Sequence, residues 1–136
     1  RALLEAAAFG MRVIFEEFRK SGITARELYA CGGIVGKNPY MMQLYADILG
    51  QAIHTSSTEQ GSAFGSSVYA AVAAGKQAGG YTTVNEAART MGKGGGRRYE
   101  PILKNVETYH SLYREYKTLH DYFGEGGNEV MHRLRR

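Results

Sequence analysis

The sequence predicts an α/β fold, rich in helix and resting on a small sheet, and three observations carry that reading. Leu3, Leu4, Ala7, Ala8, Met11, Ile14, Phe15 and Phe18 recur at spacings of three and four, the period of an amphipathic helix. Leu28–Cys31 is a short apolar run closed by Gly32-Gly33, which lets the backbone turn through conformations denied to other residues. After a helical stretch from Pro39 to Leu49, a second short apolar run follows at Ala52–Thr55. Strand, helix and strand in that order make one crossover unit.

The elements follow in chain order. The first helix sets Glu5, Arg12, Glu16 and Lys20 opposite its apolar stripe and ends near Ser21-Gly22. Cys31 is expected to be a small buried residue at a strand end. Asn38-Pro39 reads as an N-cap followed by proline at the first helical position, and Gln43 on that helix is placed to cap or brace the turn. Ser62–Ala74 carries Ala63, Phe64, Val68, Ala71 and Val72 on one face and stops at Gly75, with Gly65, Ser66, Ser67 and Ala70 expected in tight contact with the sheet.

A Gly79-Gly80-Tyr81 turn precedes a short helix at Val84–Met91. The run Gly92-Lys93-Gly94-Gly95-Gly96 is not spaced as a phosphate-binding loop and has no Ser or Thr after its lysine, so it is expected to be a mobile surface link. Arg97–Ile102 reads as an extended segment broken at Pro101. In the last long helix Val106, Tyr109, Tyr113, Tyr116, His120 and Phe123 repeat at three and four. Aromatic residues on such a stripe favour docking on the domain body over a coiled coil, with a homo-oligomer contact as the alternative. Asn128–Arg136 closes the chain as a short capped helix whose Arg133, Arg135 and Arg136 meet its negative end.

Composition narrows the function classes. At 136 residues the chain is at most one domain, and Arg1 sits directly on a helical pattern, so the natural protein is expected to begin upstream. One cysteine, Cys31, rules out an internal disulfide framework or a cysteine zinc site and fits a reducing cytoplasm. The 17 cations are spread among 13 acids rather than gathered in a stripe, so nucleic acid is not an expected partner. No apolar run approaches the ~18 residues of a membrane span. His110 and His120 lie on different turns without paired acids or cysteines, and no metal constellation is expected. None of the acids, Asp47 among them, stands out as a catalytic base; solvation or capping accounts for them.

One stretch carries a family resemblance. Gly32-Gly33, Lys37-Asn38-Pro39, Met42-Gln43 and Ala46-Asp47-Ile48-Leu49-Gly50 resemble the adenosine-binding segment of the FGGY carbohydrate kinases, the sugar kinases of the actin-like ATPase (ribonuclease H-like) superfamily. Arg1–Glu5 with Ala8-Phe9 and Arg12 resembles the tail of that family's second signature, and Ser62–Gly75 resembles its small-residue helix, although Ser66-Ser67 stand where the family usually carries alanine. Tyr99-Glu100-Pro101, the tyrosine-rich helix and the closing Gly-Asn-Glu-Val-Met look most like the member acting on L-ribulose.

The resemblance implies that residues 1–136 are the C-terminal part of the nucleotide-binding domain, with 1–78 as core strand–helix units and 79–136 as a helical extension. It implies ATP and ADP as nucleotides, Mg²⁺ only through ATP, and a sugar substrate, L-ribulose by closest likeness, with xylulose, gluconate and glycerol kinases as rivals. Gly32 and Gly33 would wall the adenine or ribose, and Lys37 or Asn38 would reach ribose or phosphate oxygens. The catalytic aspartate, the phosphate loops and most of the sugar pocket would lie in an N-terminal remainder, so the chain alone is expected not to catalyse. From another class, a non-catalytic nucleotide-binding or oligomerisation module, holding a partner by its tyrosine-rich helix, is the competing reading.

Overall fold

The computed structural model describes residues 1–56, 58, 60–92 and 94–135. Its sheet has three short strands in the order β1-β2-β3: β1 (Leu28–Ala30), β2 (Ile53–Thr55) and β3 (Arg98–Tyr99). β1 runs parallel to β2 with Leu28 opposite Ile53, and β3 runs antiparallel to β2 with Ile53 opposite Tyr99. The first two strands are the expected apolar runs. β3 lies within the segment expected to be extended, but two residues led by an arginine show no alternation; they become a strand through pairing with β2. The Thr55 N–H donates to the Arg97 carbonyl at 2.8 Å, and the Arg97 N–H donates to Thr55 Oγ1 at 2.8 Å.

In the glycine-rich run expected to be a surface link, the described residues are exposed, and Gly96 at its end is seated against β2. A Cβ added to Gly96 would stand 1.4 Å from the Thr55 carbonyl oxygen, so this glycine exists to let two backbones meet. Lys93, the lysine of that run, lies outside the described residues.

The chain condenses into two compact units, Arg1–Arg26 with Gln43–Ala52 and Glu100–Arg136, and Glu27–Met42 with Ile53–Tyr99. The first contains α1 (Ala2–Lys20), most of α3 (Pro39–Leu49), α6 (Leu103–Gly124) and the short α7 (Val130–Leu134). Its core is Ala8, Phe9, Leu44, Ile48, Tyr109 and Tyr113, with Leu4, Val13, Tyr45 and Tyr116 packed against it. The tyrosine stripe therefore docks on the body as expected. Phe9 meets three of its rings, Tyr109 edge-on at 6.2 Å, Tyr113 at 5.8 Å and Tyr116 at 5.2 Å.

The packing face of α1 is shifted from the expected one: Leu4 and Ala8 of the apolar stripe do meet the core, but much of the rest does not. Leu3 is 87% exposed, Ile14 51% and Phe18 49%, while Glu5, Arg12 and Glu16 sit toward α6. The reason is the chemistry of the partner helix. Tyrosines bring hydroxyls that need acceptors: Tyr109 donates to Glu5 Oε1 at 3.1 Å, Tyr113 donates to Glu16 Oε2 at 2.7 Å, and the Arg12 guanidinium lies 4.1 Å over the Tyr113 ring. Apolar periodicity alone points to the wrong side when the partner surface is half polar.

The second unit surrounds the sheet with α2 (Gly33–Lys37), α4 (Gly61–Ala74) and α5 (Val84–Met91). α4 packs on α5, where Ala87 and Val68 are buried and the Phe64 ring approaches Gly92. Ser66, Ser67 and Ala70 are exposed, so the expected tight contact of these small residues with the sheet does not form. Thr83 caps α5 by accepting from the Glu86 N–H at 3.2 Å while Glu86 Oε2 accepts from the Thr82 N–H at 3.1 Å. Among the described residues no helix is long and apolar enough to cross a membrane.

Candidate nucleotide site

After β1 the chain needs a sharp change of direction, and Gly32 makes it at φ 108°, a conformation that L side chains rarely adopt. Gly33 opens the short α2. Asn38 ends it and starts α3: its Oδ1 accepts from the Met41 N–H at 3.0 Å, the N-cap contact expected of Asn38-Pro39.

The turn faces a cavity of ≈340 Å³ lined by Cys31, Gly32, Gly33, Gln60, Gly61 and Ser62. Pockets that hold small molecules usually measure about 300–1,000 Å³. The position follows from topology. Cys31–Gly33 leave the carboxyl end of β1 and Gln60–Ser62 follow the carboxyl end of its parallel neighbour β2, the place where open α/β sheets leave a crevice. Nothing lies within 4 Å of a Cβ added to Gly32 or Gly33, so a flat group can approach the main chain there. Opposite them, α4 begins without a side-chain cap, leaving first-turn N–H groups and positive partial charge toward the cavity. Cys31, expected to be buried, is exposed because β1 ends at Ala30 and the thiol falls on the cavity wall.

Of the residues singled out in the sequence, Gly32 and Gly33 line this cavity and Lys37 and Asn38 do not. Lys37 is the exposed last residue of α2, and Asn38 is half-buried in its cap. A second cavity of ≈230 Å³ lies along Val35, Gly36, Thr55, Ser56 and Arg97, with Gly95-Gly96 as a wall. Gln60 is a lining residue that no motif announced, and Ser62 lines the cavity as the first residue of the small-residue stretch without having been singled out. The one signal in the sequence is their place just after the second strand of a parallel pair.

The acids are engaged elsewhere. Asp47, only 3% exposed, accepts from the Ile102 N–H at 2.8 Å, Asn105 Nδ2 at 2.7 Å and Gln43 Nε2 at 2.9 Å. Gln43 Nε2 also donates to the Glu100 carbonyl at 2.7 Å, so this pair braces the chain entering α6 rather than the glycine turn. His120 Nδ1 stands 2.9 Å from Oδ1 of the adjacent Asp121 with Glu125 nearby, so His120 has a paired acid where none was expected. The Lys117 ammonium already fills that cluster with positive charge and holds the Asp121 carboxyl below its usual range, with His120 adding to the effect. His110 is exposed and lies 2.8 Å from Arg12 Nη2.

A glycine turn and a helix start at the carboxyl ends of parallel strands leave a crevice of small-molecule size on an α/β scaffold. Residues 1–74 match the family model described as FGGY family of carbohydrate kinases, C-terminal domain. The chain belongs to the FGGY family of carbohydrate kinases. It is 53% identical over 99% of its length to a ribulokinase of Anoxybacillus flavithermus, 50% over 99% to one of Geobacillus thermodenitrificans and 44% over 99% to one of Mycolicibacterium smegmatis. The chain spans 24%, 24% and 23% of those relatives, about a quarter of their length. Its fold is similar to the crystal structure of xylulose kinase from Rhodospirillum rubrum, with a TM-score of 0.66 at 24% identity, covering 88% of this chain and 23% of that one. The helix-rich α/β architecture with a small sheet, part of an actin-like ATPase fold, is thus the one found.

Proposed function

We propose that this chain forms the C-terminal, nucleotide-side part of a cytoplasmic ATP-dependent kinase that converts L-ribulose and ATP to L-ribulose 5-phosphate and ADP. The sugar assignment is carried by relatives named ribulokinase that stay 53%, 50% and 47% identical across 99% of this chain. The nucleotide assignment is supported by the two-glycine cavity at the strand ends.

In this reading Gly32 and Gly33 form the wall against adenine or ribose, and Lys37 or Asn38 supplies a polar contact to ribose or phosphate oxygens. Asn38 keeps its Nδ2 for such a contact, since its cap uses Oδ1. The described lining residues include no acid or histidine, so they bind and orient the nucleotide while the base that accepts the sugar proton belongs to the N-terminal remainder. Mg²⁺ enters with ATP and would neutralise charge on the phosphates. The rival in which the tyrosine-rich helix holds a partner is not favoured, because Tyr109 and Tyr113 are spent in the core of their own unit.

The test is ADP release by the full-length protein with L-ribulose, xylulose, gluconate and glycerol, beside the isolated chain. L-Ribulose should be preferred and the isolated chain silent. Preference for another sugar overturns the ribulose assignment while leaving the family, and no turnover with any sugar overturns the kinase reading. Gly33→Val should raise KM for ATP about tenfold and leave KM for the sugar unchanged, since it adds bulk only to the proposed nucleotide wall.

A further inference from the structure

Helix α1 is turned inside out for a surface helix. Its charged residues are engaged on the inward side, beside Leu4 and Ala8: Glu5 and Glu16 accept from Tyr109 and Tyr113 of α6, and the Arg12 guanidinium donates to the Ile48 carbonyl at 3.1 Å. Its outward line is apolar. Leu3, Ala7, Met11, Ile14 and Phe18 are all exposed, and they fall within about 80° of the helix circumference over about 22 Å of its axis. No charged residue interrupts that line. The Phe18 ring stands edge-on to Phe15 at 6.4 Å, so the far end of the line is already ordered for contact. A helix that spends its polar residues on one neighbour and is apolar on the opposite side has the pattern of an element buried between two neighbours, and the described residues cover the inward side only.

We infer that the outward line of α1 is the seat of the N-terminal remainder of the same polypeptide, which lays an apolar face along Leu3, Ile14 and Phe18. Two observations select this occupant. The ribulokinases that match the chain are about four times as long, since the chain spans 24% of the first two, and the match is to the C-terminal domain of the family, so the larger part of the protein lies upstream. That part joins at Arg1, two residues before Leu3, and a short connection holds it at an effective concentration in roughly the millimolar range, whereas a second copy has to be recruited from solution. The line carries no charge, so the surface that meets it is built of aliphatic and aromatic side chains rather than acids or bases. This inference rests on the length of the relatives and on α1 itself, and not on the sugar or nucleotide assignments.

The experiment uses the full-length protein. Ile14→Cys is alkylated with a maleimide, folded and in urea, and the modified peptide is read by mass spectrometry. The folded protein should react at least about 100-fold more slowly than the unfolded one, and equally slowly after dilution to a concentration at which sedimentation shows a monomer. Benzoylphenylalanine in place of Phe18, which keeps the aromatic bulk, should form a photo-cross-link to a peptide upstream of Arg1 in the same chain. Alkylation at the unfolded rate overturns the proposal. Protection that is lost on dilution, or a cross-link that joins two chains, also overturns it and assigns the line to a second copy. Neither readout uses turnover, so failure here leaves the kinase reading standing, and failure of that reading leaves this one.

Discussion

Asp47 shows how one residue can look idle in the sequence and carry much of a local structure. Its carboxylate gathers three donors from residues 43, 102 and 105 while almost wholly out of water. Asp47→Ala would take the acceptor from the part-buried Ile102 N–H and the Asn105 amide and leave Gln43 only its bond to the Glu100 carbonyl, so urea unfolding should show a loss of about 1–3 kcal/mol, with Asp47→Asn losing less. Glu5 offers a pH handle. The Arg1 guanidinium at 2.8 Å, with the Tyr109 hydroxyl, holds its carboxyl below the usual value. A carboxyl depressed on folding stabilises the protein above its unfolded pKa of about 4.3 and loses that contribution as pH falls through the lower folded value. The stability difference between the unaltered protein and Glu5→Gln should therefore be constant near neutrality and shrink below about pH 4.3. Arg1 is largely solvent-facing, so the difference should be small and should weaken with added salt.

At the scale of elements, the chain depends on places where backbones meet without side chains between them. Gly96 against Thr55 is the tightest contact of this kind in the sheet, and it lets β3 join β2. Gly96→Ala should cost about 1–3 kcal/mol or more in thermal or denaturant unfolding, because the added carbon must displace a ladder carbonyl. Gly94→Ala, with nothing within 4 Å of the new carbon, should be near neutral. Equal effects at the two positions would contradict the seated arrangement. The α1–α6 pairing makes a related point. A helix stripe is a reliable sign of a helix, yet the buried face here was chosen by tyrosine hydroxyls seeking Glu5 and Glu16, which a hydrophobic pattern scores as the wet side.

For the whole molecule, what matters is how much apolar surface the two units leave uncovered. Leu3, Ile14 and Phe18 on α1 and Leu112 and Leu119 on α6 are all exposed, and β1 is paired on one edge only among the described strands. Sedimentation of the chain produced by itself should show association at micromolar concentration, and a Leu3→Gln, Ile14→Gln, Phe18→Gln variant should reduce it. A chain that stays monomeric and unchanged by those substitutions would contradict the prediction.

The sequence by itself determined the helix-rich α/β class, the limits of most helices, the β1-turn-α3-β2 order and the family, because these rest on local periodicity, caps, glycines and a contiguous motif. Gly32-Gly33 were legible as a turn with open space over its main chain for the same reason. Only the tertiary structure decided that β3 is a strand, that Gly96 is a close contact, that α1 packs by its polar-flanked face, and that Gln60 and Ser62 stand across from the glycines. Each of these depends on two segments distant in sequence meeting at a particular atom, and local patterns do not specify the partner atom.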